Sequence, residues 1–410
     1  MEAKKRNLEA KLQQLLTFFP VVVILGARQS GKTTLAQSLV QDWKYMDLEN
    51  PNDLERIMQD PLFFFQQYPE GVIIDEVQTY PQLFNILRGV IDANRQQKGR
   101  FILTGSASPE LYKQSIDTLA GRVAFLELGT LKSNELAALP LSDFYRNFEQ
   151  PLDKKNVILG THQTPTRVMQ ALWLHGGYPE PALSQDLKYK QYWLEQYRKT
   201  YVDRDIAMLF PKLNQQAFQR FLMVLSKLSG TIINRADVAR ALEVDEKTVR
   251  EYLRIAEYTF LWRALPSYEN NIVKSVIKMP KGYIRDPGLL HYFLKIDTLE
   301  DLYMHPIVGL SFESFVIEEI LKGLSATTVT NWDAYYYRTK SGTEIDLILE
   351  GPFGVLPVEI KYGIKTDLKQ LRALTAFVQE HKLAYGVLVN QSQQVEWLNE
   401  YVLQVPFNYL

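Results

Sequence analysis

The N-terminal region carries Gly26-Ala27-Arg28-Gln29-Ser30-Gly31-Lys32-Thr33 between an apolar run and a helix-forming segment. The apolar run is Val21-Val22-Val23-Ile24-Leu25, and the helix-forming segment is Thr34-Leu35-Ala36-Gln37-Ser38-Leu39. A strand, then G-x-x-x-x-G-K-T, then a helix is the P-loop in the context that its mechanism requires. The loop curls backbone N–H groups around a phosphate, and the helix N-terminus adds a positive dipole end. The motif therefore predicts a nucleotide-binding α/β domain.

The same motif predicts roles for individual side chains. We expect Lys32 to reach the β- and γ-phosphates and the Thr33 hydroxyl to ligate Mg²⁺. The loop backbone and the first helical turn would complete the phosphate site. The predicted cofactor-binding residues of this motif are Gly26, Ala27, Arg28, Gln29, Ser30, Gly31, Lys32, Thr33 and Thr34.

The composition limits the class of protein. A chain of 410 residues exceeds a single hydrophobic core, so we expect roughly two to four domains. Its net charge of −1 means that any nucleic-acid site must be a local patch. The absence of cysteine excludes disulfides and thiolate metal sites. No apolar run approaches the roughly 20 residues of a membrane span, so we predict a cytoplasmic protein without a membrane partner.

Alternating strand-like and helix-like segments after the P-loop are typical of a parallel α/β sheet. The predicted strands span residues 43–48, 71–76, 101–106 and 123–128. Ligands of such sheets lie at the carboxyl ends of the strands, where Asp75, Glu76, Thr104 and Ser106 fall. We predict that Asp75 holds Mg²⁺ through water and that Glu76 polarises the attacking water. Ser106 or Thr104 would position the γ-phosphate, although a hydroxyl at a turn has the same pattern.

Arg122 ends the run Leu119-Ala120-Gly121-Arg122, just before a predicted strand. An arginine at a subunit edge can act on the γ-phosphate bound by a neighbouring subunit. That role is worth about 10³–10⁵ in rate in other NTPases. A surface arginine without this role is the alternative, and the sequence leaves both open.

Further short motifs lie along the whole chain. They are Ile102-Leu103-Thr104-Gly105-Ser106-Ala107-Ser108, Leu119-Ala120-Gly121-Arg122, residues 131–136, His175-Gly176-Gly177-Tyr178-Pro179, Asp203-Arg204-Asp205-Ile206 and residues 270–286. Together they resemble a large uncharacterised group of bacterial and archaeal AAA+ ATP-binding proteins with a C-terminal domain of unknown function. The resemblance implies an AAA+ fold, ATP binding and hydrolysis, and assembly into homo-oligomers. It implies no known substrate.

The middle of the chain is predicted to be helical and to contain a winged-helix region. Helices at residues 235–242 and 246–258, capped by Asn234, suit a helix-turn-helix core, and residues 260–265 and 275–284 suit wing strands. The second helix carries three basic and three acidic side chains, whereas a groove-reading helix normally has a basic excess. DNA contact and protein packing both remain open, with protein packing favoured.

The C-terminal pattern changes to a helix at residues 308–324 and strands at 334–338, 344–349 and 355–361. A helix at residues 368–381 and a strand at 384–389 follow. This order resembles the PD-(D/E)XK nuclease-like core. Glu359 and Lys361 share one face of their strand, and Asp346 on the adjacent strand can join them.

Two further carboxylates belong to this prediction. Glu313 lies on an apolar helical face, where a carboxylate is costly unless it is paired or bound to a cation. Glu344 shares the side of Asp346 and could support it. Carboxylates with a nearby lysine suit phosphodiester hydrolysis with Mg²⁺ or Mn²⁺, and the predicted metal ligands are Asp346 and Glu359. An E-x-K pair is also common as a simple ion pair.

These patterns predict an α/β multidomain protein with four parts. They are an AAA+ P-loop ATPase domain (1–140), a helical lid or connector (141–225), a winged-helix-like domain (226–300) and a restriction-endonuclease-like α/β domain (301–410). The leading hypothesis is a Mg²⁺-dependent ATPase whose nucleotide state controls a metal-dependent nuclease acting on DNA. Its predicted catalytic residues are Glu76, Arg122, Glu313, Asp346, Glu359 and Lys361. The alternatives are an ATP-driven scaffold whose nuclease-like domain is catalytically silent, and a P-loop transcriptional regulator.

Overall fold

The apolar run before the P-loop motif forms a strand, Val21–Leu25, whose first four side chains are fully buried. The computed structural model describes residues 4–106, 119–160, 163–269, 278–339, 342–364 and 371–410. The described chain forms two compact units, the first reaching Leu131 and including Tyr258–Phe260. The second comprises Lys132–Glu257 and Leu261–Leu410. Parts of the predicted motifs and elements, at residues 107–108, 270–277 and 368–370, lie outside the described residues.

The first unit is built on a parallel sheet. Its strands are β1 (Val21–Leu25), β2 (Lys44–Asp47), β3 (Val72–Asp75), β4 (Phe101–Gly105) and β5 (Val123–Glu127). Its helices are α1 (Glu9–Phe18), α2 (Lys32–Leu39), α3 (Pro51–Gln59), α4 (Pro61–Gln67) and α5 (Leu83–Ala93). The strand order is β2-β3-β4-β1-β5, and every neighbouring pair is parallel. The carboxyl ends of β1, β3 and β4 therefore meet at one edge of the sheet.

Helices dominate the chain after residue 131. They are α6 (Ser133–Leu136), α7 (Thr166–His175), α8 (Pro179–Leu183), α9 (Leu187–Tyr197), α10 (Ile206–Leu209), α11 (Gln215–Lys227), α12 (Arg235–Leu242), α13 (Glu246–Tyr258), α14 (Pro287–Leu294), α15 (Leu299–Met304), α16 (Val308–Ala326) and α17 (Arg372–Glu380). A π-helix, Arg198–Asp205, joins α9 to α10. None of the described helices is both long and apolar enough to cross a membrane.

The strands of the second unit form two sheets. They are β6 (Thr231–Ile232), β7 (Trp262–Leu265), β8 (Lys281–Ile284), β9 (Asp333–Arg338), β10 (Glu344–Gly351), β11 (Gly354–Ile360), β12 (Gly386–Asn390), β13 (Glu396–Trp397) and β14 (Val402–Pro406). A three-stranded antiparallel sheet has the order β6-β8-β7, and a six-stranded mixed sheet has the order β13-β14-β12-β11-β10-β9. Three of these strands, β6, β13 and β14, were not predicted from the sequence.

The predicted helix-turn-helix elements are present as α12 and α13. The Asn234 side chain accepts a hydrogen bond from the Ala236 N–H at 3.1 Å, which satisfies one of the free donors at the start of α12. Glu243 ends α12 in the left-handed region, with φ 56°. The identity of this region as a winged helix and its contact with DNA remain predictions.

The core of the C-terminal part lies between α16 and the six-stranded sheet. Almost the whole of α16 is buried from Ser311 onwards, and Phe312, Phe315 and Val316 share one apolar cluster with Leu347 and Val358 of the sheet. A helix that is apolar around most of its circumference must be covered on several sides. The few charged side chains on α16 are therefore drawn into the interior with it.

Two of the motifs that carry the family resemblance, at residues 175–179 and 270–286, contact each other at glycines. The Asp286 carboxylate accepts hydrogen bonds from the Gly177 N–H at 2.8 Å and from the Leu289 N–H at 3.0 Å. A Cβ atom on Gly176 would lie 2.1 Å from Asp286 Oδ1, and one on Gly288 would lie 2.1 Å from the His175 carbonyl oxygen. These glycines permit α7 and α14 to approach each other closely.

Buried polar side chains between α7, α14 and α16 form one directed hydrogen-bond chain. The Trp173 indole N–H donates to Ser311 Oγ at 2.9 Å, and Ser311 Oγ lies 2.7 Å from His291 Nε2. His291 Nδ1 lies 2.9 Å from the Leu174 carbonyl oxygen, which can only accept, so the proton resides on Nδ1. His291 is therefore held neutral, and burial lowers its pKa to about 4.

Candidate functional site

The P-loop motif forms a tight turn between β1 and α2. Gly31 precedes α2 in the left-handed region, with φ 93°, which favours glycine. A Cβ atom on Gly26 would lie 2.2 Å from the Leu128 carbonyl oxygen, so this position also requires glycine. The predicted phosphate-binding residues 26–34 all lie in this turn or in the first turn of α2. Which of them bind nucleotide remains a prediction.

Lys32 is buried at the start of α2. Its Nζ donates to the carbonyl oxygens of Gly26 and Ala27 at 3.1 and 3.0 Å. Burial lowers the pKa of the Lys32 ammonium, while the carboxylates of Glu76 and Asp75 act in the opposite direction. The ammonium therefore lies within the loop that the motif predicts to hold phosphate, bonded to neutral carbonyl groups.

Asp75 at the end of β3 collects hydroxyl donors from three elements. Thr33 Oγ1 donates to Asp75 Oδ2 at 2.6 Å, and the Tyr45 hydroxyl donates to the same oxygen at 3.0 Å. The Thr104 hydroxyl donates to Oδ1. Burial, followed by the charge of Asp75, raises the pKa of Tyr45 and keeps that phenol protonated. Tyr45 was not among the predicted site residues, because a tyrosine in a short strand carries no specific signal.

Glu76 follows Asp75 in an unusual backbone conformation. Its φ is 51°, in the left-handed region, which costs on the order of 1–3 kcal/mol for a residue with a side chain. Ser106 Oγ donates to Glu76 Oε1 at 2.5 Å, and the Gln78 side-chain amide donates to Oε2. The structure thus brings Glu76 and Ser106, which were predicted separately as site residues, into direct contact beyond the ends of β3 and β4.

Arg122 forms an ion pair within its own unit. Its Nε and one terminal nitrogen donate to Asp92 Oδ1 at 2.9 and 2.7 Å. The hydrogen bond from Arg122 is the largest cause that lowers the pKa of the Asp92 carboxyl group. Both side chains are partly exposed. A role on a neighbouring subunit remains a prediction, and it would require this pair to open.

Arg6 supports the P-loop from a position that the sequence analysis did not consider. The side chain is 7% exposed and donates to the Ser30 carbonyl oxygen at 2.8 Å and to the Gly129 carbonyl oxygen at 2.7 Å. Because it joins the loop after β1 to the segment after β5, Arg6 fixes the loop backbone. In the sequence it stands within Lys4-Lys5-Arg6, a basic run that is typical of a solvated terminus.

The second predicted site contains Asp346 of β10, Glu359 of β11 and Lys361 just after β11, and the structure brings these residues together. Lys361 Nζ lies 2.5 Å from Glu359 Oε1 and 3.9 Å from Asp346 Oδ2. The Ile360 N–H donates to Asp346 Oδ2 at 2.8 Å. Antiparallel pairing of β10 with β11 explains why these side chains meet.

Glu313 of α16 and Glu344 of β10 join this site through a lysine that was not predicted. Lys281 of β8 lies 2.7 Å from Glu313 Oε1 and 2.8 Å from Glu344 Oε1. The same Nζ lies 3.6 Å from Asp346 Oδ1. We call Glu313, Glu344, Asp346 and Glu359 the carboxylate cluster.

The electrostatics of the carboxylate cluster reflect crowding of like charges. Burial and the neighbouring Asp346 raise the pKa of Glu313 to about 8 and that of Glu359 to about 8. Burial disfavours the charged form of Lys281, but Glu313, Asp346 and Glu344 outweigh it and raise its pKa. Glu359 Oε2 is buried and has no hydrogen-bond partner among the described residues.

A divalent metal does not fit the carboxylate cluster in this arrangement. Among the described residues, no three or more His, Cys, Asp or Glu side chains are grouped so that they could hold a metal ion. The position between Glu313, Glu344 and Asp346 is taken by the Lys281 ammonium. The predicted metal ligands Asp346 and Glu359 therefore remain predictions.

Comparison with known proteins identifies three segments. Residues 19–137 match an AAA domain, residues 166–300 match a domain of unknown function (DUF8612), and residues 308–410 match a domain of unknown function (DUF4143). The uncharacterized protein Rv2008c of Mycobacterium tuberculosis is 30% identical over 99% of this chain and 84% of its own length. The uncharacterized protein Mb2031c of Mycobacterium bovis gives the same values.

Solved structures with similar folds are more distant. The Walker-type ATPase PABY2304 of Pyrococcus abyssi is 15% identical, with a TM-score of 0.43 over 72% of this chain and 99% of that chain. The ORC1 protein of Aeropyrum pernix, solved in complex with DNA, is 12% identical, with a TM-score of 0.31 over 72% of this chain and 93% of that chain. At these values neither structure supports a functional argument.

Proposed function

This chain belongs to the family of AAA ATPases that carry the C-terminal domain of unknown function DUF4143, and we propose that residues 26–34, Asp75, Glu76 and Ser106 form its ATPase site. The observation that carries the proposal is the contact between Thr33 and Asp75, at 2.6 Å. A hydroxyl and a carboxylate are hard oxygen donors of the kind that Mg²⁺ takes. These two residues would hold the ion, which neutralises phosphate charge when it is bound.

Lys32 acts first in this proposal. Its ammonium is bonded to two loop carbonyl groups, and a triphosphate offers it charged oxygen acceptors in their place. Hydrogen bonds to charged acceptors are roughly twice as strong as those to neutral ones. The exchange of carbonyl acceptors for phosphate oxygens at Lys32 therefore favours binding of the β- and γ-phosphates. Arg6 holds the backbone of the P-loop in place during this exchange.

Glu76 is proposed to orient the attacking water. Its carboxylate lies beyond the end of β3 and is fixed by Ser106 and Gln78. A carboxylate held in this way can accept a hydrogen bond from a water molecule. It thereby orients that water so that a lone pair of the water oxygen points towards the γ-phosphate. The strained backbone of Glu76 supports this role, since strain of this kind clusters at functional sites.

The test of the ATPase is the variant Glu76→Gln, measured against the exposed control Glu70→Gln. Glu76→Gln is expected to bind ATP with nearly wild-type affinity and to hydrolyse it about 10²-fold more slowly or worse. The control should match the wild type in both assays. Unchanged turnover in Glu76→Gln would remove Glu76 from the mechanism.

We further infer that the C-terminal domain acts as an interaction module controlled by the nucleotide state. Lys281 supports this inference, because its ammonium occupies the position between Glu313, Glu344 and Asp346 that a metal ion would take there. Its partners would be proteins or DNA, and assembly into homo-oligomers would bring several such domains together.

A metal-dependent nuclease acting on DNA is the second candidate. It is favoured by the meeting of Asp346, Glu359 and Lys361 and by Glu359 Oε2, which accepts no hydrogen bond from the part of the chain that the structure describes. Purified protein, incubated with supercoiled DNA, ATP and Mg²⁺ or Mn²⁺, distinguishes the two candidates. Nicking that Asp346→Ala or Lys361→Ala abolishes, with ATP hydrolysis retained, would establish the nuclease. No cleavage under any metal and nucleotide condition would favour the interaction module.

A further inference from the structure

Lys281 lies on β8, a strand that pairs with a neighbouring strand on each side, and its side chain reaches the carboxylate cluster. Its backbone pairs with Ile232 of β6 and with Leu265 of β7. The side chain is 3% exposed. Because β8 is the middle strand of its sheet, a register shift that withdrew Lys281 would break two ladders. The ammonium is therefore a fixed component of the cluster.

The distances around Lys281 suit an ammonium ion. Charge-assisted N–H···O contacts are about 2.7–2.9 Å long, whereas Mg²⁺ binds oxygen at about 2.1 Å and Ca²⁺ at about 2.3–2.6 Å. The contacts to Glu313 and Glu344, at 2.7 and 2.8 Å, fall in the ammonium range. The oxygens of Glu313 and Glu344 thus already have a cation from the chain itself as their partner.

One acceptor of the cluster has no partner among the residues that the structure describes. Glu359 Oε2 is buried without a hydrogen bond from any of them, whereas Oε1 of the same carboxyl group lies 2.5 Å from Lys361 Nζ. Only 6% of the surface of Glu359 is exposed to solvent. An orphaned carboxylate oxygen at this depth is costly unless a cation or a donor reaches it. The carboxylate cluster therefore keeps one oxygen, Glu359 Oε2, available to a cation in addition to the oxygens that the Lys281 ammonium contacts.

We propose that Lys281 is the resident cation of the carboxylate cluster and that the cluster binds a divalent metal only when this ammonium is removed. Glu313, Glu344, Asp346 and Glu359 would then form a latent oxygen site. This proposal goes beyond the ATPase site, because it uses no residue of that site. It also holds whether the domain is an interaction module or a nuclease whose site is blocked.

Manganese binding to the full chain without nucleotide tests the proposal. Titration calorimetry with Mn²⁺ compares the wild type, Lys281→Met and the double variant Lys281→Met/Asp346→Asn. Lys278→Met, at an exposed lysine three residues away that pairs with Glu269, is the matched control. We expect Lys281→Met to gain one Mn²⁺ site at least tenfold tighter than any site in the wild type or the control. The double variant should lose this site.

Two results would overturn the proposal. The first is Lys281→Met with no additional Mn²⁺ site, and the second is a new site that survives in the double variant. If Lys281→Met is poorly folded, thermal unfolding decides instead, with Lys281→Arg as the variant that keeps the charge. Mn²⁺ should raise the Tm of Lys281→Met well beyond its effect on Lys281→Arg. The proposal would be contradicted if Mn²⁺ shifted the Tm of both variants equally. It would also be contradicted if Mn²⁺ did not restore the folding of Lys281→Met.

Discussion

The Thr33 hydroxyl donates to the Asp75 carboxylate across 2.6 Å, which joins the first turn of α2 to the end of β3. These residues are 42 positions apart in the sequence and meet because α2 begins at the edge of the parallel sheet where β3 ends. The fold therefore places two oxygen donors of the kind that Mg²⁺ takes side by side, and such preorganisation favours affinity.

Replacement of Lys32 by alanine is expected to weaken ATP binding on the order of 100-fold, because charge-assisted bonds to the phosphates are lost. Equilibrium binding of a fluorescent ATP analogue measures the change. Lys98→Ala is the control, since Lys98 is an exposed lysine of the same unit. Wild-type affinity in Lys32→Ala would refute the assignment of the phosphate site.

Replacement of Arg122 by alanine is expected to slow ATP hydrolysis about 10³-fold if Arg122 acts on a neighbouring subunit. Arg95→Ala is a matched control, because Arg95 also pairs with Asp92, at 3.0 Å, and is more exposed. Mixing Arg122→Ala subunits with Lys32→Ala subunits should restore turnover, since each supplies what the other lacks. A mixture that stays inactive, or wild-type turnover in Arg122→Ala alone, would assign Arg122 to a structural ion pair.

The buried His291 predicts a loss of stability in mild acid. Its pKa is about 4 in the folded chain and about 6.5 in an unfolded one, so the unfolded state binds more protons between these values. The contribution of His291 to the free energy of unfolding is complete above pH 6.5 and is lost as the pH falls towards 4. The loss amounts to about 3 kcal/mol at most. Urea unfolding at a series of pH values measures it. His291→Gln should show a shallower pH dependence than the wild type, and identical slopes would contradict the prediction.

Gly288→Ala is expected to destabilise the second unit by about 1–3 kcal/mol, because its Cβ would lie 2.1 Å from the His175 carbonyl oxygen. Gly309→Ala is the control within the same unit. No atom of the described neighbouring residues lies within 4 Å of its added Cβ, so alanine should stabilise α16 by about 0.5–1 kcal/mol. Urea unfolding of both variants compares the two effects, and equal effects would argue against close packing as the cause.

Local patterns in the sequence predicted the elements of the nucleotide-binding unit well. The four strands predicted after the P-loop contain the observed β2, β3, β4 and β5, and of these β3 and β4 are short runs that are buried throughout. The AAA domain itself is confirmed by the match to residues 19–137. Arg6 and Tyr45 were missed, since their contacts depend on the fold and leave no local signal.

The carboxylate cluster was predicted only in part for a similar reason. Asp346, Glu359 and Lys361 lie on neighbouring strands, so strand alternation brought them together in the prediction. Lys281 comes from a strand 63 positions before Glu344. Its residue type suggests a surface side chain, and only tertiary packing makes it a buried cation. The central feature of the site was therefore inaccessible to motif analysis.

The bond between Gly177 and Asp286 has a consequence for synthesis of the chain on the ribosome. It joins positions 109 residues apart, so a nascent chain cannot form it until residue 286 has emerged. The parallel sheet, by contrast, is complete at Glu127. We therefore expect the sheet to fold during translation, whereas the second unit, which contains this long-range bond, folds late and exposes apolar helices until it does so.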